Sequence, residues 1–569
     1  MSQAEAPQYF FQRFDPATGN VLGKWPRITT DESVKNFPPR ENGLKILLIN
    51  PPIREWSFPN IIPIGQSYVA SVAVMDGHTV EVLDLNAERK APVKDKSKEE
   101  FSRWIETLVQ TAISQSQPDV IGIGGIITQY SRIKEIATLC KSLRPEAHLI
   151  LGGGIATSTP MFMVKRLPID SAVLEEGEVT FSHFLYQLEH KLPLSEVPGL
   201  AWKEQTSEGE KIHNNGLRPS IAAQDAGLDH LPWPLRQLWP VDDIYKVNPV
   251  GHLNWKSKWI DGQATEESPF SVSMIGSRGC PYAVKACDYC YASYLGAKYR
   301  LRSPHEVVNE MEYLQQRYGV SYIHFLDDLL MTDYRWAIAF CEELLKRKAE
   351  TGFEIIWGGT CRTNIVADDI ARGRKQGRKH MLEYAFEAGM RQVGFGIESA
   401  SPTILKSIDK SGQTLEKMEI AVKEVQRIFG YADCSFIIGS PGESKTTVEE
   451  TVEFCKKVDL HPEVFFFTTA YPGTTFWQLA LDKGLIRKAV TGEKGPADED
   501  IIEEYFKRLG EQGEEVRTNF SDLEDQEVID LSWWAIQELG AQNTVRHPHT
   551  GEEQASVKPA LIGASRADL

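Results

Sequence analysis

The sequence predicts an α/β protein: a Rossmann-like doubly wound domain, then a partial (β/α)6 barrel, then a small C-terminal helical region. Three observations predict it. Short apolar runs alternate with amphipathic stretches, once from Leu44 onward and again from Phe270. Those runs are continuously apolar, as in parallel strands buried on both faces. Glycines and polar clusters gather just after them, at the strand ends where open sheets and barrels keep their ligands.

The bulk properties set limits. The 569 residues are 41% hydrophobic and 25% charged, enough apolar material for several domains and more than one core. No apolar run approaches the ~18 residues that cross a bilayer, so no membrane span is expected. The start, Met1 to Pro7, has no basic region followed by an apolar one, which points to the cytoplasm. Three of the eight cysteines fall within Cys280–Cys290, a cluster rather than a disulfide framework, which fits a reducing interior. A net charge of −17 argues against nucleic acid as a partner.

Residues 1–40 carry Tyr9, Phe10, Phe11, Phe14 and Trp25 among Pro, Asn and Asp, and read as an irregular arm. Residues 41–205 form the first domain. Leu44–Asn50 is a strand stopped by Pro51-Pro52, and residues 64–76 are a helix with Tyr68, Val69, Val72 and Ala73 on one face. Strands follow at Thr79–Leu85, Val120–Gly125, His148–Gly154 and Ser171–Leu174, with helices at 98–115 and 132–143 between them. The third and fourth strands end in glycines, Gly124-Gly125 and Gly152-Gly153-Gly154, and the fifth in Glu175-Glu176-Gly177-Glu178. No G-x-G-x-x-G follows the first strand, which argues against a dinucleotide. Asp76-Gly77-His78 reads as a surface turn between helix and strand. Residues 206–265 are a linker stiffened by Leu231-Pro232-Trp233-Pro234.

The barrel spans 266–485. Its strands are read at 271–275, 322–326, 353–357, 392–399, 433–438 and 463–467, with helices at 305–318, 334–348, 378–388, 415–429 and 445–457. Six β/α units result, and each strand end carries chemistry. Residues 486–569 read as a helical cap, through Ile501–Leu509 and Asp525–Leu539, with a disordered tail of about twenty residues.

The loop after the first barrel strand holds Cys280, Cys287 and Cys290. Three thiolates hold three irons of a four-iron cluster and leave the fourth iron open to a ligand. Zinc is the alternative, with Cys287-x-x-Cys290 as one knuckle and Cys280 as a third ligand. No fourth Cys or His lies close in sequence, so spacing favours the cluster without deciding it. Cys361 and Cys434 read as core thiols.

The run Arg278-Gly279-Cys280-Pro281 with Tyr289 just before Cys290 resembles the radical SAM family. It departs from the usual pattern in having six residues, not three, between the first two cysteines. The ordered set of Pro51-Pro52, Ile64–Ala70, Gly77–Asp84, Leu151–Gly154, Glu176–Thr180 and Val197–Ala201 resembles the cobalamin-binding domain of the class B methylases in that family. The resemblance implies a 4Fe-4S cluster on Cys280, Cys287 and Cys290, S-adenosylmethionine (SAM) on the open iron, and cobalamin on the glycine edge. It implies cobalamin near Thr128, Gln129, Gly152, Gly153, Gly154, Glu176 and Gly177, with no histidine from the Asp76-Gly77-His78 turn on cobalt.

The barrel assignments also follow from the resemblance. Tyr289 would lie against the adenine, Asp327 or Asp328 would meet the SAM ammonium, and Arg362 its carboxylate. Glu398 would accept from the ribose hydroxyls, and Gly439, Pro441 and Gly442 would form the turn beside the adenine. The implied reaction is C-methylation of an unactivated carbon of a natural-product or lipid precursor, through methylcobalamin and a 5′-deoxyadenosyl radical. The implied partners are a small-molecule substrate and an electron donor such as flavodoxin or ferredoxin. Two alternatives stand beside it. One is oxidative cyclisation or ring rearrangement, as in the anaerobic magnesium-protoporphyrin ester cyclase group; the other is a zinc-stapled, non-catalytic cobalamin binder.

Overall fold

In the computed structural model the described residues are 10–14, 21–26 and 28–540, apart from 56, 94–96, 219–227, 248–269, 284–286, 292–298, 411, 463 and 510–517. The tail expected to be disordered lies outside them, as does much of the linker. The chain forms two compact units, residues 1–248 with 565–569, and residues 249–564. The arm differs from its reading: β1 (Phe10–Phe14) and β2 (Val21–Pro26) pair as an antiparallel ribbon. Phe10, Phe11 and Phe14 in one strand and Val21, Leu22 and Trp25 in the other are strand formers, a pattern that composition alone hides.

In the first unit β3 (Lys45–Asn50), β4 (Thr79–Asp84), β5 (Val120–Gly124), β6 (His148–Gly152) and β7 (Ser171–Val173) pair in parallel, in the order β4-β3-β5-β6-β7. Successive strands leave β3 in opposite directions, so the crevice of a doubly wound sheet opens at the carboxyl ends of β3 and β5. β8 (Leu200–Thr206) and β9 (Gly209–Asn214) extend the sheet antiparallel, carrying it past residue 205 to Asn214. The helices are specified locally. Lys98–Ser116 starts at a capping box of Ser97 and Glu100 and buries Phe101, Ile105, Val109 and Ile113 at four-residue spacing. The core joins Ile46, Leu48, Val120 and Ile150 of the sheet to Ala70, Ala73, Phe181 and Phe184 of the helices. Each large apolar side chain buried there contributes about 1.5–3 kcal/mol.

In the second unit β10 (Ser271–Met274) leads through a small ribbon, β11 (Ser277–Arg278) with β12 (Arg300–Leu301), to the rest of the barrel. β13 (Tyr322–Phe325), β14 (Ile356–Cys361), β15 (Met390–Glu398), β16 (Asp433–Ile438) and β17 (Phe465–Phe467) follow, and the six barrel strands are parallel in sequence order. Helix Pro304–Tyr318 shows the usual punctuation, with Ser303 as N-cap, Pro304 in the first turn and Gly319 left-handed after its end. Trp357, fully buried, meets Phe325 and Phe340 of helix Tyr334–Thr351 at ring-centroid distances of 6.0 and 5.1 Å.

Two readings shift. A helix at Thr363–Gln376 precedes the expected one, which is itself short, Met381–Glu387. The third barrel strand runs to Cys361, so Gly358 and Gly359 lie inside it and not after it. C-terminal helices Glu499–Arg508 and Asp525–Glu538 are present. The segment joining them reaches the barrel: Phe520 N–H donates to Gly439 O at 3.0 Å, and Ala470 N–H to Thr518 Oγ1 at 3.0 Å. Among the described residues no helix is long and apolar enough to cross a membrane.

Candidate active site

Cys280, Cys287 and Cys290 are half-buried free thiols on the loop that leaves β11. Gly279, at φ +78°, turns the chain into the first cysteine. Backbone bonds from Ala283 N to Cys280 O and from Cys290 N to Cys287 O, both 2.9 Å, fold the loop into two turns. Asp288 pins it to the barrel rim, donating to Ile408 O at 3.2 Å and accepting from Phe476 N at 3.0 Å. The other five cysteines are buried, and desolvation pushes the thiols of Cys140, Cys341, Cys361 and Cys455 up to about 12 and Cys434 well above its usual value. They are core thiols, inert as ligands.

The donor set suits a cluster. A zinc ion with Zn–S bonds of about 2.3 Å holds its sulfurs about 3.8 Å apart. Among the described residues the one group of His, Cys, Asp or Glu donors gathered within 4.8 Å is His380, Glu383 and Glu424. The three loop thiols are not in that group, and among the described residues three thiols on one loop without a fourth ligand beside them suit a cluster with one open iron.

The rim residues divide into those that meet and those already engaged. Asp327 is buried, and both carboxylate oxygens accept from Gly276 N–H, at 3.1 and 3.0 Å, while Ser277 Oγ donates to Oδ1. It holds the strand end that leads to the cysteines. Burial pushes its carboxyl up to about 6, with the Gly276 and Ser277 bonds working against the rise. Asp328 beside it is exposed. Arg362 is buried with its guanidinium 3.9 Å from the Tyr282 ring centroid, and Tyr282 Oη accepts from Asn364 Nδ2 at 3.0 Å.

Tyr289 and Glu398 are brought together, the Tyr289 hydroxyl donating to Glu398 Oε1 at 2.9 Å. Lys410 completes the group, with Nζ 2.6 Å from Glu398 Oε1 and 3.0 Å from the Tyr289 oxygen. Burial, then the Glu398 charge, raises the Tyr289 hydroxyl well above its usual range, so it stays a donor. Glu398 takes a left-handed φ of +67° where the β15–β16 register slips. Sequence reading missed Lys410, because nothing in its spacing distinguishes it from a surface lysine.

The turn after β16 has Gly439 and Gly442 at φ +90° and +82°, with half-buried Pro441 between them. Glu443 closes it, buried, with Oε1 accepting from Thr447 Oγ1 at 2.8 Å. Desolvation pushes its carboxyl up to about 7, against bonds from Thr447, Ser440 and Gly439.

In the first unit the crevice is walled by backbone. Gly153 has φ +84°, and a Cβ there would stand 2.5 Å from Gly125 O. A Cβ on Gly152 would meet nothing within 4 Å. Gly177 follows Glu176, the N-cap of helix Gly177–Glu189, and a Cβ on Gly177 would lie 3.2 Å from Val69 Cγ1. Thr128 sits half-buried in a short turn. Gln129 is engaged by protein: Nε2 donates to Pro51 O and Pro52 O at 3.1 Å each, and Oε1 accepts from Ile126 N at 3.0 Å. It ties β5's loop to β3's loop. Ile126 at this edge is an exposed apolar side chain. Open glycine backbone beside exposed isoleucine fits the flat, largely apolar face of a corrin. His78 is corrected: it is buried, its Nδ1 accepts from Leu44 N at 3.1 Å, and it precedes β4 at the amino end of the sheet. That is the edge away from the glycines.

The comparisons agree with both units. The Radical SAM superfamily profile matches residues 274–455 and the B12 binding domain profile residues 58–185. An uncharacterised methyltransferase of Pyrococcus horikoshii is 31% identical over 450 residues, covering 78% of this chain and 84% of that one. The cytidylyl-2-hydroxyethylphosphonate methyltransferase of Streptomyces wedmorensis is 25% identical, covering 78% and 82%. Among solved structures, the radical S-adenosylmethionine methyltransferase TsrM from Kitasatospora setae, with cobalamin and a 4Fe-4S cluster bound, shares the fold. Its TM-score is 0.60 at 18% identity, over 87% of this chain and 91% of that one. With a three-cysteine rim loop on a parallel half-barrel, and a glycine-walled switch point in the sheet before it, the chain belongs to the cobalamin-dependent radical SAM methyltransferase family, whose cofactors are SAM, a 4Fe-4S cluster and cobalamin.

Proposed function

We propose that the protein C-methylates an unactivated carbon of a small-molecule precursor, of natural-product or lipid type. The observation that carries the reading is the pairing, on one chain, of the Cys280–Cys290 loop with the open Gly152 edge. When bound, the cluster and SAM supply the hydrogen-abstracting radical and cobalamin supplies the methyl group.

The residues of the chain bind, orient and exclude water. Asp327 already accepts from Gly276 and Ser277, so the ammonium of SAM falls to exposed Asp328. Arg362, held flat by Tyr282, takes the carboxylate. Tyr289 lies against the adenine, and Glu398, fixed by Lys410, accepts from the ribose hydroxyls. The Gly439–Gly442 turn gives the adenine edge a backbone wall. Thr128, Gly152, Gly153, Gly154, Glu176 and Gly177 border the cobalamin, and Gln129 holds their loop in place. A low-potential flavodoxin or ferredoxin supplies the electron.

The test is anaerobic purification with cobalamin supplied, followed by iron, sulfide, zinc and cobalt analysis and product mass. About four irons and one cobalt per chain, with a substrate that gains CH2, are expected. Zinc in place of iron would end the reading, and a product lighter by two hydrogens would replace methylation with oxidative cyclisation.

A further inference from the structure

The chain carries a net charge of −17, yet one segment of it is basic. Arg372, Arg374, Lys375, Arg378 and Lys379 fall within eight residues, at the end of helix Thr363–Gln376 and in the turn after it. Two of the five are neutralised: Arg378 pairs with Asp369 at 2.8 Å, and Lys379 pairs with Glu387. Arg372, Arg374 and Lys375 are exposed, and no ion pair forms on them among the described residues. The acids of the same helix are taken, Asp369 by Arg378 and Asp368 by Lys417 at 2.8 Å. Cations at a helix end also complement the helix dipole, a purely local role. Their place in the barrel gives them a second one.

The helix stays at the carboxyl end of the barrel. It begins directly after Arg362, where β14 ends. Asn364 in its first turn donates to Tyr282 Oη at 3.0 Å, and Tyr282 is two residues past Cys280. Beyond its other end Arg378 stacks on Tyr334, the guanidinium 3.9 Å from the ring centroid. Tyr334 opens the helix that follows the rim residues Asp327 and Asp328. Lys417, the partner of Asp368, lies in the first turn of helix Leu415–Phe429, shortly after Lys410 of the rim. Arg372 and Lys375 are thus about 12 and 17 Å along the helix from Asn364, at 1.5 Å per residue. The free cations stand beside the cysteine loop.

The surroundings extend the patch. Arg335, next to Tyr334, is a fourth exposed cation with no ion pair among the described residues. Leu415, two residues before Lys417, is a large apolar side chain left 39% exposed. A few cations around one apolar side chain suit a small, transient docking face, held by charge and not by area. A partner drawn there is acidic, because these cations attract it while the rest of a −17 chain repels it. The methylase reading needs one electron delivered from outside to the loop that this patch adjoins.

We propose that the basic end of helix Thr363–Gln376, with Arg335 and Leu415, is the docking face for a small acidic protein that carries one low-potential electron. The carrier loses that electron and the cluster on Cys280, Cys287 and Cys290 gains it; no bond is made or broken. The assignment rests on the methylase reading for the electron's destination, and the docking face itself is read by binding.

The experiment uses the full chain with its cluster reconstituted anaerobically. Binding of a flavodoxin and of a ferredoxin is measured by calorimetry at about 20 and about 200 mM salt. At least one of them binds the wild type, about tenfold or more weakly at the higher salt. The combined variant Arg372→Glu, Arg374→Glu, Lys375→Glu weakens that binding about tenfold or more at low salt. A second combined variant, Lys98→Glu, Lys191→Glu, Lys211→Glu, makes the same change in net charge at exposed positions of the first unit and shifts the affinity by less than about twofold. SAM cleavage driven by the carrier falls with the affinity, whereas cleavage driven by dithionite is unchanged. If the reversal at the patch does not fold, Arg372→Gln, Arg374→Gln, Lys375→Gln replaces it, with a smaller loss of the same kind. No salt-sensitive binding of either carrier, an unchanged affinity in the patch variant, or equal losses in the two combined variants would overturn the inference. Absence of iron, or of dithionite-driven cleavage, in the wild type would overturn the methylase reading instead.

Discussion

At the carboxyl ends of β5 and β6 the proposed ligand wall is main chain: Gly152 is open, Gly153 is left-handed, and Gln129 is turned to bind Pro51 and Pro52. At the rim of the barrel the wall is side chain and charge: Asp327 on Gly276, Arg362 on Tyr282, and Lys410 between Glu398 and Tyr289. Both are parallel sheets with ligands at the same end. On the proposed reading, a wide flat cofactor needs bulk removed, which glycines allow, and a small charged cofactor needs groups supplied and held still, which ion pairs and donors with partners already in place provide.

Substitutions at five positions break or sharpen that contrast, from the largest expected effect to the smallest. Cys287→Ala removes one of three cluster ligands; iron per chain falls to near zero and SAM cleavage drops by about a thousandfold or more, read by metal analysis and 5′-deoxyadenosine release. A fall in neither iron nor cleavage would remove Cys287 from the site.

Lys410→Met leaves Glu398 buried without its cation, which costs about 3 kcal/mol or more. The thermal midpoint falls by roughly 5–10 °C, and SAM affinity falls with it. Lys410→Arg recovers part of the stability.

The glycine wall separates two effects. Gly153→Ala strains a left-handed residue and drives a Cβ into Gly125 O, so both cobalt retention and stability fall, the latter by about 2 kcal/mol. Gly152→Ala meets no protein atom, so its midpoint without cobalamin stays put while cobalamin binding weakens. Equal loss of stability in both would mean the edge is a packing surface and not a cofactor wall.

Glu443→Gln is the finest test. The Glu443 carboxyl is raised by burial to about 7 in the fold, above its unfolded value. The native state then binds more protons than the unfolded state between about pH 4.5 and 7, so stability falls as pH rises through that window. The drop amounts to about 3 kcal/mol. The glutamine variant loses this slope, and denaturation midpoints across the window read it directly.

The first unit was largely legible. Its strands are continuous apolar runs, its glycines follow them, and the ordered motifs carried the cofactor. His78 was misread because a residue after Asp76-Gly77 looks like a turn, and nothing local reveals that its ring caps Leu44 N. In the barrel the helices were legible from their apolar faces, but Thr363–Gln376 was not, since it carries Asp368-Asp369, Gly373 and three basic residues around a short apolar stripe. Glycine again deceived in β14. Gly358 looked like a strand end, yet it sits inside because a Cβ there would fall 2.4 Å from the Tyr322 oxygen. The alternation of half-buried Asp433 and Ser435 with buried Cys434 and Phe436 has the plain period of two, a face pattern that the reading of 433–438 as a strand left unremarked. The partners of Glu398 and Asp327 were not legible: Tyr289, Gly276 and Ser277 lie far away in sequence, and Lys410, which follows the short helix Pro402–Ser407, carries no local mark of its role.

One bond at the far end of the sequence has a reach beyond its strength. Phe520 donates to Gly439 O, and the Val528 side chain lies against the open face of that glycine. On the proposed reading, the turn beside the adenine is therefore finished by the segment between the two C-terminal helices. A chain without Phe520 and Val528 would keep the three loop cysteines and the six-stranded sheet, yet leave that turn without its outer support.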